Sequence, residues 1–140
     1  MARDSNATFH NGLPLLKPPF GQLTAVNLNT GDLAWQVALG DNARLRSNPA
    51  LRGAKAPEKL GAAGVQGAIV TKGGVIFVGG GDSAFHAVDK GTGEELWSYE
   101  LPRRTSGTPM TYLARDGRQY VVIATGSGGD AVLVAFALAK

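Results

Sequence analysis

Two stretches of the sequence repeat each other: Thr24-Ala-Val-Asn-Leu-Asn-Thr-Gly-Asp-Leu-Ala-Trp35 and His86-Ala-Val-Asp-Lys-Gly-Thr-Gly-Glu-Glu-Leu-Trp97. The second copy lies 62 positions after the first, and the two align without a gap. The identical pairs are Ala25 and Ala87, Val26 and Val88, Thr30 and Thr92, Gly31 and Gly93, and Trp35 and Trp97. A fixed repeat of this length, built from short strands, is typical of β-propeller blades. The predicted fold class is therefore all-β, with blades that are four-stranded antiparallel sheets.

Each part of the repeat has a physical interpretation. Gly31 and Gly93 supply the positive φ that a tight turn requires. The side chain of Asp89 can accept hydrogen bonds from the N–H groups of its turn. Trp35 and Trp97 present large flat faces, which we expect to pack between neighbouring blades on outer strands.

Short strands and turns account for most of the remaining sequence. Apolar residues alternate with others along Asp32–Leu39, which is the period-two pattern of a half-buried strand. Helix is plausible only within residues 44–60, where Pro49 and Pro57 favour a long loop instead. Residues 1–20 are predicted to be an extended arm. The nine predicted strands are Gln22–Leu28, Asp32–Leu39, Ala68–Thr71, Val75–Val78, Ala84–Val88, Glu94–Leu101, Met110–Leu113, Tyr120–Thr125 and Ala131–Leu138.

These strands form about two blades. Within the propeller region 21–140, residues 21–39 would end one blade, residues 67–101 would form a complete blade, and residues 108–138 would supply three strands of the next. Because a propeller closes with about four blades or more, we expect either missing N-terminal blades or a homo-oligomer. Open strand edges template pairing with other chains, so a stable monomer is not expected.

Composition excludes several classes of protein. The chain has 140 residues and no cysteine, which removes disulfides, thiolate zinc sites and thiol nucleophiles. The net charge of +3 comes from scattered residues, so no nucleic-acid partner is expected. The longest apolar run, Ala131–Ala139, is too short to span a membrane. No signal peptide opens the chain, so an export signal either lies upstream or is missing.

Several motifs resemble one family. The pattern Ala-Val-Asp-x-x-Thr-Gly-x-x-x-Trp is similar to the tryptophan-docking motif of quinoprotein dehydrogenases, which are eight-bladed propellers that use pyrroloquinoline quinone (PQQ). Residues 73–79, Gly-Gly-Val-Ile-Phe-Val-Gly, resemble a glycine hairpin of that family. Residues 108–112 and 117–123 resemble its C-terminal signature, and Pro18-Pro19-Phe20-Gly21 is similar to a segment of the membrane-bound glucose dehydrogenase type. The resemblance covers residues 12–140.

The resemblance implies PQQ held over calcium on the propeller axis, in a periplasmic enzyme. Such an enzyme oxidises an aldose to its lactone, or an alcohol, and passes the electrons to a quinone or a cytochrome. The catalytic Asp and the calcium ligands map to no residue of this chain, so catalytic residues stay unknown and no metal ligand is assigned. The starts of the innermost strands face the cofactor in the family, which makes Gln66, Gly67 and Thr108 the cofactor-binding candidates. We expect no tight PQQ binding by this chain alone.

Other candidate sites have structural interpretations. The glycine-rich segments 79–82 and 126–130 precede no helical pattern, so they are predicted to be hairpin turns rather than phosphate loops. His86 lies within a strand of the repeat and is predicted to be structural. Asp41, Asp82 and Asp130 are predicted to be solvated turn residues, because no calcium-loop spacing surrounds them.

Three functions from different classes remain open. The chain is part of a quinoprotein sugar or alcohol dehydrogenase, a non-enzymatic self-assembling propeller module, or a metal-dependent hydrolase such as a lactonase. Fold analogy alone supports the hydrolase. The family resemblance favours the dehydrogenase.

Overall fold

A computed structural model of the chain describes residues 8–9, 11–64 and 67–138. In this part of the chain, nine strands form three antiparallel sheets, confirming the predicted all-β class. The strands are β1 (Gln22–Val26), β2 (Leu33–Ala38), β3 (Ala68–Val70), β4 (Val75–Gly79), β5 (Ala84–Asp89), β6 (Glu95–Glu100), β7 (Met110–Leu113), β8 (Gln119–Thr125) and β9 (Val132–Ala137).

Each sheet is one blade or part of one. Blade 1 consists of β1 and β2, blade 2 of β3, β4, β5 and β6 in that order, and blade 3 of β7, β8 and β9. The strands correspond one for one to the nine predicted strands. Several strands are shorter than predicted, because their terminal residues belong to hydrogen-bonded turns. In one of these turns, Asp89 Oδ1 accepts hydrogen bonds from the amides of Gly91 and Thr92 at 2.8 and 2.9 Å.

The two repeat copies have the same local geometry. Trp35 is the cross-strand partner of Ala25, and Trp97 is the partner of Ala87. The strand register shifts immediately afterwards in both blades, between Ala25 and Val26 and between Ala87 and Val88. Gly31 and Gly93 both have φ of 78°. Equal sequence has therefore produced equal backbone structure in both copies.

Two apolar layers hold the blades together. The first lies between blades 1 and 2, where buried Ile76, Val78 and Val88 pack against Leu23, Trp35 and Leu39. The second lies between blades 2 and 3. Its members are Phe85, Leu101, Val121 and Ile123, with Ile69, Phe77, Val134 and Phe136 around them. Phe85 is fully buried and stacks on Phe77 and Phe136 at ring-centroid distances of 6.0 and 5.6 Å.

A long connection, residues 39–67, joins blade 1 to blade 2. The loop prediction holds for most of it, but Ala43–Arg46 form one turn of α-helix, α1, and Pro49–Leu51 form a 3-10 turn. The side chains of Asn42 and Asn48 cap these turns by accepting hydrogen bonds from amides inside them. Capping explains why helical turns form where the prolines favoured loop.

The end of this connection returns to blade 1. The amide of Phe20 donates to the carbonyl of Leu60 at 2.8 Å, and the amide of Ala62 donates to that of Leu39 at 2.8 Å. A side chain at Gly21 would overlap the main chain of Ala62, with the carbonyl carbon 2.8 Å from its Cβ. Glycine is thus required where the connection crosses the blade.

The described part of the N-terminal segment contains a turn. The amide of Phe9 donates to the carbonyl of Leu13, and Thr8 pairs with Pro14 in an isolated bridge. The side chain of Asn48 donates to the carbonyl of Asn11, which ties this turn to the long connection. None of the helices in the described ranges is long and apolar enough to cross a membrane.

Candidate functional site

The blades have two different ends. One end carries four hairpin turns, at residues 27–32, 71–74, 90–94 and 114–118. The other end carries the remaining connections, at residues 39–67, 80–83, 101–109 and 126–131, two of which join one blade to the next. The innermost strands β3 and β7 both start at this second end, which we call the connection end. The predicted cofactor-binding positions lie here.

Two of these positions touch each other. A Cβ placed on Gly67 would lie 2.7 Å from both Cβ and Cγ2 of Thr108. Gly67 precedes β3 of blade 2 and Thr108 precedes β7 of blade 3, so the contact joins the starts of neighbouring inner strands. The third position, Gln66, lies outside the described residues. Cofactor contact by Gly67 and Thr108 stays a prediction, and the described geometry adds that they pack on one another.

A second contact of this kind lies nearby. A Cβ on Gly79 would lie 2.7 Å from Cβ and Cγ2 of Thr105. The Thr105 hydroxyl donates to the carbonyl of Gly80 at 3.2 Å, and Thr105 pairs with Thr125 in an isolated bridge. Both threonines are buried. Thr105 was not singled out from the sequence, because its partners Gly79, Gly80 and Thr125 are distant from it along the chain.

A cluster of charged residues runs along blade 2, from Asp82 at the connection end to Glu95 at the start of β6. His86 is 4% exposed, its Nδ1 lies 2.7 Å from Glu95 Oε2, and its Nε2 lies 3.7 Å from Asp82 Oδ1. The ammonium of Lys59 donates to the same oxygen of Glu95 at 2.7 Å. Asp82 Oδ2 accepts from the amide of Asp41 at 2.7 Å. Lys59 and Asp41 both belong to the long connection.

Both carboxylates beside His86 are held ionised. Burial alone would raise the pKa of Asp82, but the imidazole of His86 and the amides of Asp41 and Ala84 outweigh it, and the pKa is lowered. Burial likewise opposes ionisation of Glu95, whose pKa is nevertheless lowered by Lys59 and His86. Negative charge is therefore stabilised on both sides of the imidazole ring.

Two of the three aspartates predicted to be solvated turn residues have structural partners instead. Asp82 accepts from the amides of Asp41 and Ala84. Asp41 accepts from the amide of Leu60 at 3.0 Å and pairs with Arg46. The prediction was wrong for these two, because the bonds that tie them into the structure, from Asp41 to Asp82 and from Leu60 to Asp41, join residues distant in sequence. Asp130 stays largely exposed, 3.4 Å from Arg103.

The repeat residues form a contact between blades at the opposite end. The indole N–H of Trp35 donates to the carbonyl of Lys90 at 2.9 Å, and the six-membered ring covers Gly93. Trp97 instead lies against blade 3, with its ring centroid 5.3 Å from that of Phe136, and is 40% exposed. The side chain of Asp89 accepts hydrogen bonds from two amides of its turn. The bond from Thr92, followed by that from Gly91, lowers the pKa of Asp89.

Comparison with known proteins identifies the family. The sequence model of the glucose/ethanol/alcohol dehydrogenase β-propeller domain that uses PQQ matches residues 1–121. The chain belongs to the PQQ-dependent quinoprotein dehydrogenases. This confirms the family resemblance of the sequence and the interpretation of the three sheets as part of a propeller.

Curated quinoprotein dehydrogenases are similar to most of the chain. The quinate/shikimate dehydrogenase (quinone) of Acinetobacter baylyi is 38% identical over 137 residues, which cover 92% of this chain and 17% of that protein. The quinoprotein glucose dehydrogenase A of Acinetobacter calcoaceticus is 36% identical over 124 residues, covering 85% and 14%. The chain therefore spans about one sixth of the length of such relatives.

Solved quinoprotein structures have the same fold. The quinohemoprotein alcohol dehydrogenase of Comamonas testosteroni superposes with a TM-score of 0.55 and 29% identity, covering 81% of this chain and 14% of that chain. A europium-containing methanol dehydrogenase superposes with a TM-score of 0.53 and 27% identity, covering 75% and 15%. The three sheets thus match part of a much larger propeller.

Few donors for PQQ lie at the starts of the described inner strands. PQQ is a planar tricarboxylate, so it needs convergent donors and a flat cavity. At the start of the inner strands, Gly67 and Thr108 provide one hydroxyl, and the space beside the glycine is filled by the threonine. Across residues 8–9, 11–64 and 67–138, no group of three or more His, Asp and Glu side chains is placed to hold a metal ion.

Proposed function

We propose that the chain forms part of the propeller of a PQQ-dependent dehydrogenase and supplies a section of the wall around the cofactor. The observation that carries this proposal is the match of the family to residues 1–121. The contact of Gly67 with Thr108 supports it, because this contact fixes the spacing of adjacent inner strands at the connection end. When bound, PQQ supplies the redox chemistry, and the protein positions it.

The proposed substrate is a polyhydroxylated or simple alcohol. Relatives are named as dehydrogenases of quinate or shikimate, glycerol and glucose. These compounds share secondary or hemiacetal hydroxyl groups that lose two electrons and two protons on oxidation. An aldose, oxidised to its lactone with electrons passed to a quinone, is the specific substrate that we propose. A periplasmic location is part of this proposal.

The proposed arrangement includes further blades or further copies of the chain. The described outer faces of blades 1 and 3 expose large apolar side chains, among them Leu33 at 60% and Leu133 at 72%. Apolar faces of this kind mark interaction surfaces. A PQQ pocket must bury most of the cofactor, which the described two-blade wedge does not do. We therefore expect tight PQQ binding only in a larger assembly.

The experiment combines size separation with a cofactor assay. The purified chain is fractionated by size exclusion with light scattering, and each fraction is titrated with PQQ and Ca²⁺ by absorbance. Dye reduction is then measured with glucose, quinate, glycerol and ethanol. We expect PQQ binding and substrate-dependent dye reduction only in fractions heavier than one chain of 14.5 kDa. Micromolar or tighter PQQ binding by the single-chain fraction would contradict this expectation, and absence of binding in every fraction would assign the rest of the pocket to further blades instead of copies of this chain.

A further inference from the structure

The residue on which this inference rests is His86, the one histidine among the described residues. It is buried, and both of its ring nitrogens face carboxylate oxygens, Glu95 at 2.7 Å and Asp82 at 3.7 Å. Nε2 is buried and has no hydrogen-bond partner within reach in the described ranges. A side chain at Gly80 would lie 2.9 Å from Nε2, so the main chain passes close to that nitrogen.

A neutral imidazole cannot present an N–H to both of the carboxylates that flank His86. It has one N–H donor and one lone pair, so one nitrogen would point its lone pair at a carboxylate. An imidazolium carries an N–H on both nitrogens: Nδ1–H donates to Glu95 at 2.7 Å, and Nε2–H faces Asp82 Oδ1 at an ion-pair distance of 3.7 Å. The charged ring therefore neutralises part of the negative charge of two ionised groups. Paired, hydrogen-bonded charges are the form in which buried ionic groups are tolerated. The geometry therefore favours the protonated ring.

The cluster also joins two parts of the chain. Asp82 lies in the β4–β5 connection and Glu95 in β6, both in blade 2. Their other partners are in the long connection: the amide of Asp41 binds Asp82, and Lys59 binds Glu95. His86 thus sits between the two carboxylates that anchor the two ends of that connection.

The charged groups of the cluster come from three elements of the described chain, and Glu58 and Glu94 line the groove beside Lys59 and Glu95. Strand β6 contributes Glu95, the β4–β5 connection contributes Asp82, and the long connection contributes Lys59, Asp41 and, through Asp41, Arg46. Strand β4 contributes apolar Val78, the cross-strand partner of His86. Between about pH 6 and about pH 9, imidazole is the side chain of this set whose ordinary titration lies in range.

We propose that His86 is a pH-sensitive latch, whose protonated ring holds residues 41–60 of the long connection against blade 2. Loss of the proton leaves one carboxylate facing a lone pair. Asp82 and its bond to the Asp41 amide are then destabilised, and the connection is released from blade 2 while the apolar layer between blades 1 and 2 remains. This goes beyond the proposed function, because it requires neither PQQ nor a substrate.

The first test measures the protonation state of the His86 ring. The chain contains two histidines, so His10→Gln leaves His86 as the single imidazole signal. Ring ¹⁵N spectra of this variant are recorded from about pH 5 to about pH 9. We expect both ring nitrogens to show the imidazolium signature at neutral pH. A neutral tautomer at pH 6 would overturn the proposal.

The second test measures how firmly the long connection is held against blade 2. Hydrogen exchange of the Asp41 amide, which donates to Asp82, is compared with that of Ala62, which donates to the carbonyl of Leu39. As the pH rises from about 6 to about 9, we expect the protection of Asp41 relative to Ala62 to fall by about tenfold, the scale of a hydrogen bond to a charged group. In His86→Gln the ratio should not change with pH, because glutamine does not titrate. A constant ratio in the unmodified chain would refute the latch.

A further variant covers the case in which His86→Gln does not fold. Glu95→Gln removes one of the two negative charges and leaves the histidine in place. We expect His86 in this variant to lose its proton at a lower pH than in the unmodified chain, and the fall in Asp41 protection to move with it. An unchanged midpoint would show that the carboxylate does not act on the ring.

Discussion

The indole N–H of Trp35 in blade 1 donates a 2.9 Å hydrogen bond to the main-chain carbonyl of Lys90 in blade 2. The same ring covers Gly93, at which a Cβ would lie 2.7 Å from Cε3 of the tryptophan. Lys90 and Gly93 belong to the turn of the second repeat copy. The tryptophan of the first copy therefore binds the turn of the second copy, and this contact joins blade 1 to blade 2.

Trp35→Phe tests the hydrogen bond separately from the packing. Phenylalanine keeps an aromatic face on Gly93 but removes the indole donor, so we expect a loss of about 1 kcal/mol in the free energy of unfolding. Trp35→Ala removes both and should cost about 3 kcal/mol. Urea unfolding followed by circular dichroism measures both values. Trp97→Phe is the matched control, since no acceptor lies within reach of the Trp97 indole in the described chain, and a loss as large as that of Trp35→Phe would contradict the assignment.

Gly93→Ala and Gly31→Ala separate backbone strain from a clash. Both glycines have φ of 78°, so alanine at either position costs about 1–2 kcal/mol. A Cβ at Gly31 has no atom within 4 Å, whereas one at Gly93 meets the ring of Trp35. We expect Gly93→Ala to lower stability by about 1–3 kcal/mol more than Gly31→Ala. Equal losses in the same urea titration would show that the ring does not rest on Gly93.

Gly67→Ala tests the contact between inner strands. The new methyl would overlap Thr108, so we expect a loss of about 1–3 kcal/mol. Thr108→Gly in the same chain should recover part of that loss, because it removes the overlapping atoms. Gly107→Ala is the control: a Cβ there has one neighbour, at 3.9 Å, and should cost less. Thermal melts of the three variants give the comparison, and failure of Thr108→Gly to rescue would place the strain elsewhere.

Acid should weaken the contact of the long connection with blade 2. The pKa values of Asp82 and Glu95 are lowered in the folded chain, so each contributes stability that is present above its unfolded pKa and is lost as the pH falls through the folded value. We expect the free energy of unfolding to decline below about pH 4. Asp82→Asn should be less stable at neutral pH and decline less in acid. An acid decline as steep as that of the unmodified chain would exclude Asp82 as a contributor.

The apolar outer faces predict association. Leu33 of blade 1 and Leu133 of blade 3 are exposed in the described chain. Size exclusion with light scattering should give a mass above 14.5 kDa. Leu33→Lys and Leu133→Lys place charges on these faces and should lower the mass, while circular dichroism reports whether the blades stay folded. A folded single-chain species before any substitution would contradict this expectation.

The strands could be predicted from the sequence because their signals are local. Alternation along Asp32–Leu39 and the turns at Gly31 and Gly93 each involve residues close in the chain, and the ungapped match of two copies 62 positions apart shows that these local signals recur. Gly67 and Thr108 were named through the family resemblance, which places the starts of the innermost strands at the cofactor.

What the sequence could not predict is which distant residues meet. Asp41 and Asp82 were interpreted as turn residues, because nothing near either one indicates a partner, and His86 resembles any other residue within a strand. Packing of the long connection against blade 2 brings Asp41, Lys59, Asp82, His86 and Glu95 together. The sequence by itself determined the strands, the turns and the family, because hydrogen-bonding pattern and residue size act over a few positions. The tertiary structure alone decided the charged cluster and the contact of Gly67 with Thr108, because burial and charge pairing depend on which surfaces face each other after folding.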